Sequence, residues 1–275
     1  MKGISNLYEN GEELKHYLTS MNKIHFGLIG KALSHSFSME YHNRRFQREG
    51  IAAHYSNFEL KEVSDIKDLI TSRPGLRGLN VTVPFKQSII PFLDEVSSEA
   101  MTIGAVNTIV VEDDRLIGYN TDVFGFEESL KNWIDPGLRG ALVLGTGGAS
   151  QAVMQALRNL KLKYVSVSRT STGRIISYED LTDEMIKTHR LIINTTPLGM
   201  HPDITSMPLI PYDKLSNKNW VYDLVYNPEK TILLRKSEQI GAHIKNGLEM
   251  LHLQADKSWS IWKHHLEQEH GRAFD

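Results

Sequence analysis

The stretch Asn80 to Lys86, N-V-T-V-P-F-K, sets an amide, a hydroxyl and an ammonium close together. Val81 and Val83 suit a strand with one buried face, and Pro84, with no N–H to give a ladder, puts Lys86 just beyond the strand end. By the period of two, Asn80 and Thr82 point the same way. Strand ends are where α/β sheets hold ligands, so these residues describe a polyol-binding edge. The plainer alternative is an ordinary strand followed by a solvated lysine at a helix start.

Upstream, Ser34, Ser36 and Ser38 crowd the start of a helix-like segment that closes near Gly50. Hydroxyls beside the free N–H groups of a helix N-terminus favour a carboxylate; simple N-capping uses the same residues. Downstream, A-V-N-T-I-V-V and R-L-I-G-Y-N-T-D read as a hairpin turning at Asp113 and Asp114, with Asn107 and Asp122 brought to one end. Asp122 serves equally well as the cap of a helix starting near Val123.

A second chemistry begins at Arg139. A-L-V-L-G-T-G-G-A-S-Q-A-V-M-Q-A-L is an apolar strand, a glycine-rich turn and an alanine-rich helix, the opening of a dinucleotide-binding unit. Gly145 and Gly147 permit the tight turn and the approach of backbone to a pyrophosphate, with Ser150 in the place of a third glycine. After the strand Tyr164 to Ser168 the chain offers Ser168, Arg169 and Thr170, where an NAD-preferring unit usually carries an acid. A guanidinium with hydroxyls suits the 2′-phosphate of NADP. Arg174, beside Gly173 in a segment read as a mobile loop, is expected to be a surface arginine.

Alternating elements position these groups. Strands are expected at Ile24 to Ile29, Ala53 to Phe58, Gly78 to Val83, Leu191 to Ile193, Val221 to Leu224 and Ala242 to Lys245, with helices at Val63 to Thr71 and from about Glu229. The loops N-T-T-P-L-G-M and V-Y-N-P follow two of these strands and are placed to flank a nicotinamide, or are ordinary turns. In the terminal helix Leu248, Leu251 and Ala255 share a stripe, with Gln254 near the packed side. His264, His265 and His270 face different ways without a carboxylate cluster, so no metal is expected. The fold class is therefore α/β with a mainly parallel sheet.

The 275 residues fit two domains. A net charge of -2 without a basic block argues against nucleic acid, and the absence of cysteine excludes disulfides and thiolate chemistry and fits a reducing cytosol. No apolar run reads as a membrane span or signal core, so a soluble cytoplasmic protein is expected. Residues 1–20 are polar and Met21 directly precedes the first strand-like run, which makes 1–20 an expected dispensable leader and Met21 the functional start.

Taken in order, N-V-T-V-P-F-K, A-V-N-T, G-Y-N-T-D, G-T-G-G-A-S, S-R-T, D-L-V-Y-N-P and G-L-E-M-L-H-L-Q-A resemble the shikimate dehydrogenase family from about Lys23 to about Asp256. The resemblance implies an N-terminal α/β/α substrate domain (1–121 plus 247–275), a Rossmann-type NADP domain (122–246) and a C-terminal helix returning to the first. It implies NADPH-dependent reduction of 3-dehydroshikimate to shikimate, a step toward chorismate and the aromatic amino acids, by a monomer or homodimer. Lys86 and Asp122 match the catalytic pair. Oxidising a secondary alcohol releases a proton as hydride leaves, and which of the two residues moves it stays open. Ser36 and Ser38 match carboxylate-binding serines; Asn80, Thr82, Asn107 and Gln254 match hydroxyl and ring contacts; Tyr226 matches a tyrosine near the cleft. Gly145, Thr146, Gly147, Gly148 and Ala149 match the pyrophosphate turn, Ser168, Arg169 and Thr170 the 2′-phosphate clamp, and Asn194, Thr195 and Gly247 further cofactor positions. Met39, where the family often has proline, is expected to loosen the serine turn; Ser168 replaces a frequent asparagine. The alternatives are a quinate/shikimate dehydrogenase using NAD, a non-catalytic NADP sensor of this fold, or a structural domain without ligand.

Overall fold

A computed structural model describes residues 24–33, 36–131 and 133–272. The expectations on residues 1–20, Met21 and Ser34, and on the side chain of His270, lie outside the described residues. The chain forms two compact units, one ending at Thr121 and resuming at Ala255, the other Asp122–Gln254.

In the first unit, β1 (Ile24–Gly30), α1 (Phe37–Glu49), β2 (Ala53–Glu59), α2 (Ile66–Thr71), β3 (Leu76–Val81), α3 (Phe85–Ser88), β4 (Glu95–Val96), α4 (Ser98–Ile103), β5 (Thr108–Glu112) and β6 (Arg115–Tyr119) build a six-stranded sheet. Its order is β2-β1-β3-β5-β6-β4. The pairings β1–β2, β1–β3 and β4–β6 are parallel; β3–β5 and β5–β6 are antiparallel. The β5–β6 hairpin turns at Asp113 and Asp114, both at positive φ, as a two-residue turn with aspartates allows. Side chains alternate across the sheet, so Ile109 and Val111 join the core under α2 and α3, while Val110 joins Phe26, Leu28 and Phe46.

The second unit contains α5 (Asp122–Lys131), β7 (Gly140–Leu144), α6 (Gly148–Asn159), β8 (Lys163–Ser168), β9 (Ile175–Ser177), α7 (Asp183–Thr188), β10 (Leu191–Asn194), β11 (Trp220–Asp223), α8 (Ile232–Gln239) and β12 (His243–Asn246). Its six strands are all parallel, in the order β12-β11-β10-β7-β8-β9. Leu142, Leu144, Ile192 and Val221 from adjacent strands fill its core with Leu233 and Leu234. This is the doubly wound arrangement in which the chain runs outward from β7 on one side and restarts at β10 on the other.

The last helix, α9 (Leu248–Arg272), belongs to the second unit as far as Gln254 and to the first from Ala255. Within the first unit Trp259, Trp262 and Leu266 pack into the Phe26 core, and the Trp262 indole donates to the Ile109 carbonyl at 2.9 Å.

Several expectations need correcting. β3 stops at Val81, so Thr82 lies in the turn and Val83 is 73% exposed instead of facing a core. Its neighbour β5 pairs with it only as far as Asn80 with Thr108, and β1 only as far as Val81 with Ile29. α8 begins at Ile232, after a Thr231 cap, and not at Glu229. Leu248 is 41% exposed, and the packed stripe of α9 is instead Ala255, Ser258, Trp259, Trp262 and Leu266. Gly173 and Arg174 form the corner of a tight turn closed by Thr172 and Ile175.

Candidate active site

In the first unit the polar strand ends converge by pairing. β5 is antiparallel to β3, so it starts where β3 finishes, and the Val81 N–H donates to the Asn107 carbonyl at 2.8 Å. The Asn80 amide nitrogen donates to the Asn107 carbonyl (3.2 Å), Thr108 Oγ1 (3.2 Å) and Ser258 Oγ (3.0 Å). Its Oδ1 accepts from the Tyr55 phenol at 2.8 Å. Asn107 donates to Thr121 Oγ1 at 2.9 Å and accepts from the Thr121 N–H at 2.7 Å. All of these side chains are buried, which makes each hydrogen bond costly to leave unmade.

Lys86 sits on the single turn of α3, anchored by buried Phe85 before it and by its own carbonyl, which accepts from the Val106 N–H at 2.7 Å. Thr82 is held by its N–H to the Ile29 carbonyl at 2.9 Å. Ser36 caps α1 by accepting from the Met39 N–H at 3.4 Å. Proline would have no such N–H, so Met39 supplies a cap bond here where loosening was expected. Ser38 hydrogen-bonds the Tyr55 phenol, whose pKa burial nonetheless drives upward. The approach to this turn is tied to β2, since the Leu33 N–H donates to Glu59 at 2.7 Å and the Asn57 amide donates to the Leu33 carbonyl at 2.9 Å.

In the second unit the glycine-rich turn follows β7, and the N-T-T loop follows β10, the two strands flanking the switch point. Thr195 Oγ1 and the Thr195 N–H both donate to the Leu144 carbonyl, at 2.7 and 2.9 Å. Gly145 has φ +108°, and a Cβ there would stand 2.7 Å from Thr195 Oγ1, so glycine is required on both counts. Gly147 caps α6 with no side chain over it, and the first turn, with Gly148 and Ala149, holds no acid. Ser150 is buried and donates back to the Gly147 carbonyl at 2.6 Å, which lets it stand where a third glycine is usual. Thr146 completes this anion-ready turn.

Beyond β8, Ser168 accepts from the Tyr178 N–H at 3.1 Å, and Arg169 and Thr170 are exposed. Arg169 forms no ion pair with any described residue. The nearby Asp180 is engaged by Ser171 and Ser177, whose hydrogen bonds lower its pKa. Asp122, buried, opens α5. Tyr226 follows β11, its phenol pKa raised by burial. The Gln254 amide donates to the Leu251 carbonyl at 2.9 Å. At Gly247 a Cβ would lie 2.0 Å from the Leu224 carbonyl oxygen, so chain packing alone demands glycine.

Asn194, expected as a cofactor position, holds its own loop in the structure. It is fully buried, donates to Asp223 Oδ1 (2.9 Å) and the Leu198 carbonyl (3.4 Å), and accepts from the Thr196 N–H and hydroxyl. That uses the whole capacity of the amide. Asp223 also accepts from Thr231 and from the Val225 N–H, yet burial outweighs these donors and pushes its carboxyl up to about 6. A folded-state pKa above the unfolded 3.8 gives stability that is full below the unfolded value and lost as pH rises through about 6. Thermal unfolding of the wild type and Asp223→Asn is expected to show the wild type gaining on the variant as pH falls from about 7 to about 5. A wild type that gains nothing on the variant, or loses ground to it, over that range would count against this titration.

The terminal histidines have protein partners: His265 bonds Glu112 and Tyr119, and His264 bonds Gln268. Among the described residues no group of acids and histidines could hold a metal ion, and no helix is long and apolar enough to cross a membrane. Sequence reasoning missed Tyr55, Thr108, Thr121, Ser258 and Asp223. The one signal for Ser258 was a serine in an otherwise apolar helical stripe.

Residues 28–109 match the family model for the shikimate dehydrogenase substrate binding domain. The shikimate dehydrogenase (NADP(+)) of Carboxydothermus hydrogenoformans is 38% identical over 252 residues, 86% of this chain and 90% of that protein. That of Clostridium beijerinckii is 40% identical over 252 residues, 86% and 91% of the two chains. Among solved structures, shikimate 5-dehydrogenase from Thermus thermophilus, in complex with NADP(H) and shikimate, superposes with TM-score 0.78 at 32% identity, covering 91% of this chain and 99% of that one. Quinate dehydrogenase from Corynebacterium glutamicum, in complex with NAD, gives TM-score 0.78 at 26% identity, covering 90% and 98%. With two α/β units, a polar strand end bearing a lysine and a glycine-rich turn at the switch point, the chain belongs to the shikimate dehydrogenase family.

Proposed function

We propose that this chain catalyses the reversible NADP-dependent reduction of 3-dehydroshikimate to shikimate, in the route to chorismate, as a cytoplasmic monomer or homodimer. The observation that carries this reading is Lys86, fixed on α3 by its carbonyl bond to Val106 and standing just beyond a strand end where Asn80 and Asn107 are already oriented. Relatives named for this activity align over 86% of the chain. Bound NADPH supplies the hydride. Lys86 and Asp122 hold and move the proton at the oxygen that changes between carbonyl and hydroxyl. Ser36 and Ser38 take the carboxylate at the α1 N-terminus, and Asn80, Thr82, Asn107, Gln254 and Tyr226 take the ring and its hydroxyls. The turn at Gly145 to Ala149 receives the pyrophosphate, Asn194, Thr195 and Gly247 border the nicotinamide, and Ser168, Arg169 and Thr170 receive the 2′-phosphate.

The test is to follow NADPH formation with shikimate, then with quinate, and to repeat both with NAD. Turnover with shikimate and NADP well above the other three combinations is expected. Faster oxidation of quinate with NAD would turn the assignment to a quinate dehydrogenase, and binding without turnover to a sensor.

A further inference from the structure

Asn80 is held by groups from distant parts of the first unit, and the chemistry of its neighbours decides which way its amide points. The Asn107 backbone oxygen, 3.2 Å away, accepts only, so Nδ2 must face it. Nδ2 then spends its hydrogens among Asn107, Thr108 and Ser258, and Oδ1 is left facing Tyr55, whose phenol donates to it at 2.8 Å. The amide nitrogen has more acceptors than hydrogens, while Oδ1, an acceptor for two bonds, has one donor among the described residues.

From this geometry we infer that Tyr55 and Ser258 are positioning residues: they lock the Asn80 amide so that Oδ1 is offered to the substrate as a hydrogen-bond acceptor, which selects a ring hydroxyl over a carbonyl or ether at that point. Ser258 works from α9, where its Oγ is also 2.8 Å from Thr108 Oγ1 and 3.1 Å from Thr121 Oγ1. Tyr55 works from β2, braced by a parallel stack on the His42 ring at 4.7 Å, and meets Ser38 of the carboxylate turn through the same phenol. Neither residue touches the substrate in this scheme. Both are fully buried, so their effect passes through the groups they hold, and Asn80 is the one they share.

The inference rests on the assignment of Asn80 to shikimate, and the experiment separates the two. Steady-state constants are measured for the full-length wild type, Asn80→Ala, Tyr55→Phe, Ser258→Ala and the double variant Tyr55→Phe/Asn80→Ala. Tyr55→Phe and Ser258→Ala are each expected to raise the shikimate KM by roughly five- to twenty-fold while the NADP KM stays within about twofold. In the Asn80→Ala background Tyr55→Phe is expected to add clearly less than it does in the wild type, since only its contact with Ser38 is left to act. Equal movement of both KM values, or full additivity in the double variant, would overturn the positioning role. A normal shikimate KM in Asn80→Ala overturns the substrate assignment itself; a raised one beside normal single variants overturns only the lock. If Ser258→Ala fails to fold, Tyr55→Phe and its double variant decide.

Discussion

Replacing Lys86 with Met is expected to lower turnover with shikimate by roughly a hundred- to ten-thousand-fold, the range over which positioned proton transfer contributes. Methionine keeps the unbranched stem and removes the charge and every donor, so the change isolates the ammonium. The fold is expected to survive, because α3 is held by buried Phe85 and Ile89 and by the Lys86 carbonyl, and none of these is altered. The effect therefore belongs in kcat with little change in the NADP KM or in the thermal midpoint. Turnover within about threefold of wild type, measured by NADPH absorbance on folded protein, would remove Lys86 from the chemistry.

The surroundings of Lys86 show how far local pattern reaches. Alternation marked β3, and the proline marked where it could no longer continue, but the strand stops earlier, at Val81, the last residue paired with β1 and one past the last paired with β5. Periodicity describes what a strand wants to bury and says nothing of where its partner ends. Short elements failed for a related reason: β4 has two residues and β9 three, too few to carry a period. The hairpin, by contrast, was legible because Asp113 and Asp114 suit the left-handed corner it needs.

Candidates could be named from sequence wherever a residue's own type suggests a chemistry, as with Lys86, the glycine turn and Arg169. The site was illegible where function is shared through contacts set by sheet order. Tyr55 meets Asn80 across 25 residues of sequence and Ser258 meets it across 178. β1 lies between β2 and β3, so only a large side chain on β2 could reach Asn80, and no local spacing reveals that. Asn194 shows the converse. Its position beside the switch point suggested a cofactor contact, and only the fold reveals that Asp223, Leu198 and Thr196 tie it to the loop that carries Thr195.

Replacing Arg169 with Ala is expected to raise the NADP KM by roughly ten- to a hundred-fold and to leave the NAD KM within about threefold, erasing most of the preference between them. The two cofactors differ by a 2′-phosphate, and a guanidinium meets a phosphate through paired charge-assisted hydrogen bonds that a hydroxyl cannot replace. Arg169 is suited to this because it carries no ion pair with any described residue, and Asp180, an acid on the same loop, is occupied by Ser171 and Ser177. Binding therefore need not break an existing pair. The side chain is exposed, so its loss should leave the thermal midpoint unmoved. Salt gives a second readout: the wild-type NADP KM should climb with ionic strength more steeply than that of Arg169→Ala, because screening weakens an attraction the variant no longer has. An unchanged NADP KM and salt slope in the variant would assign the phosphate to another group, and Arg174 on the neighbouring tight turn would be the next cation to replace.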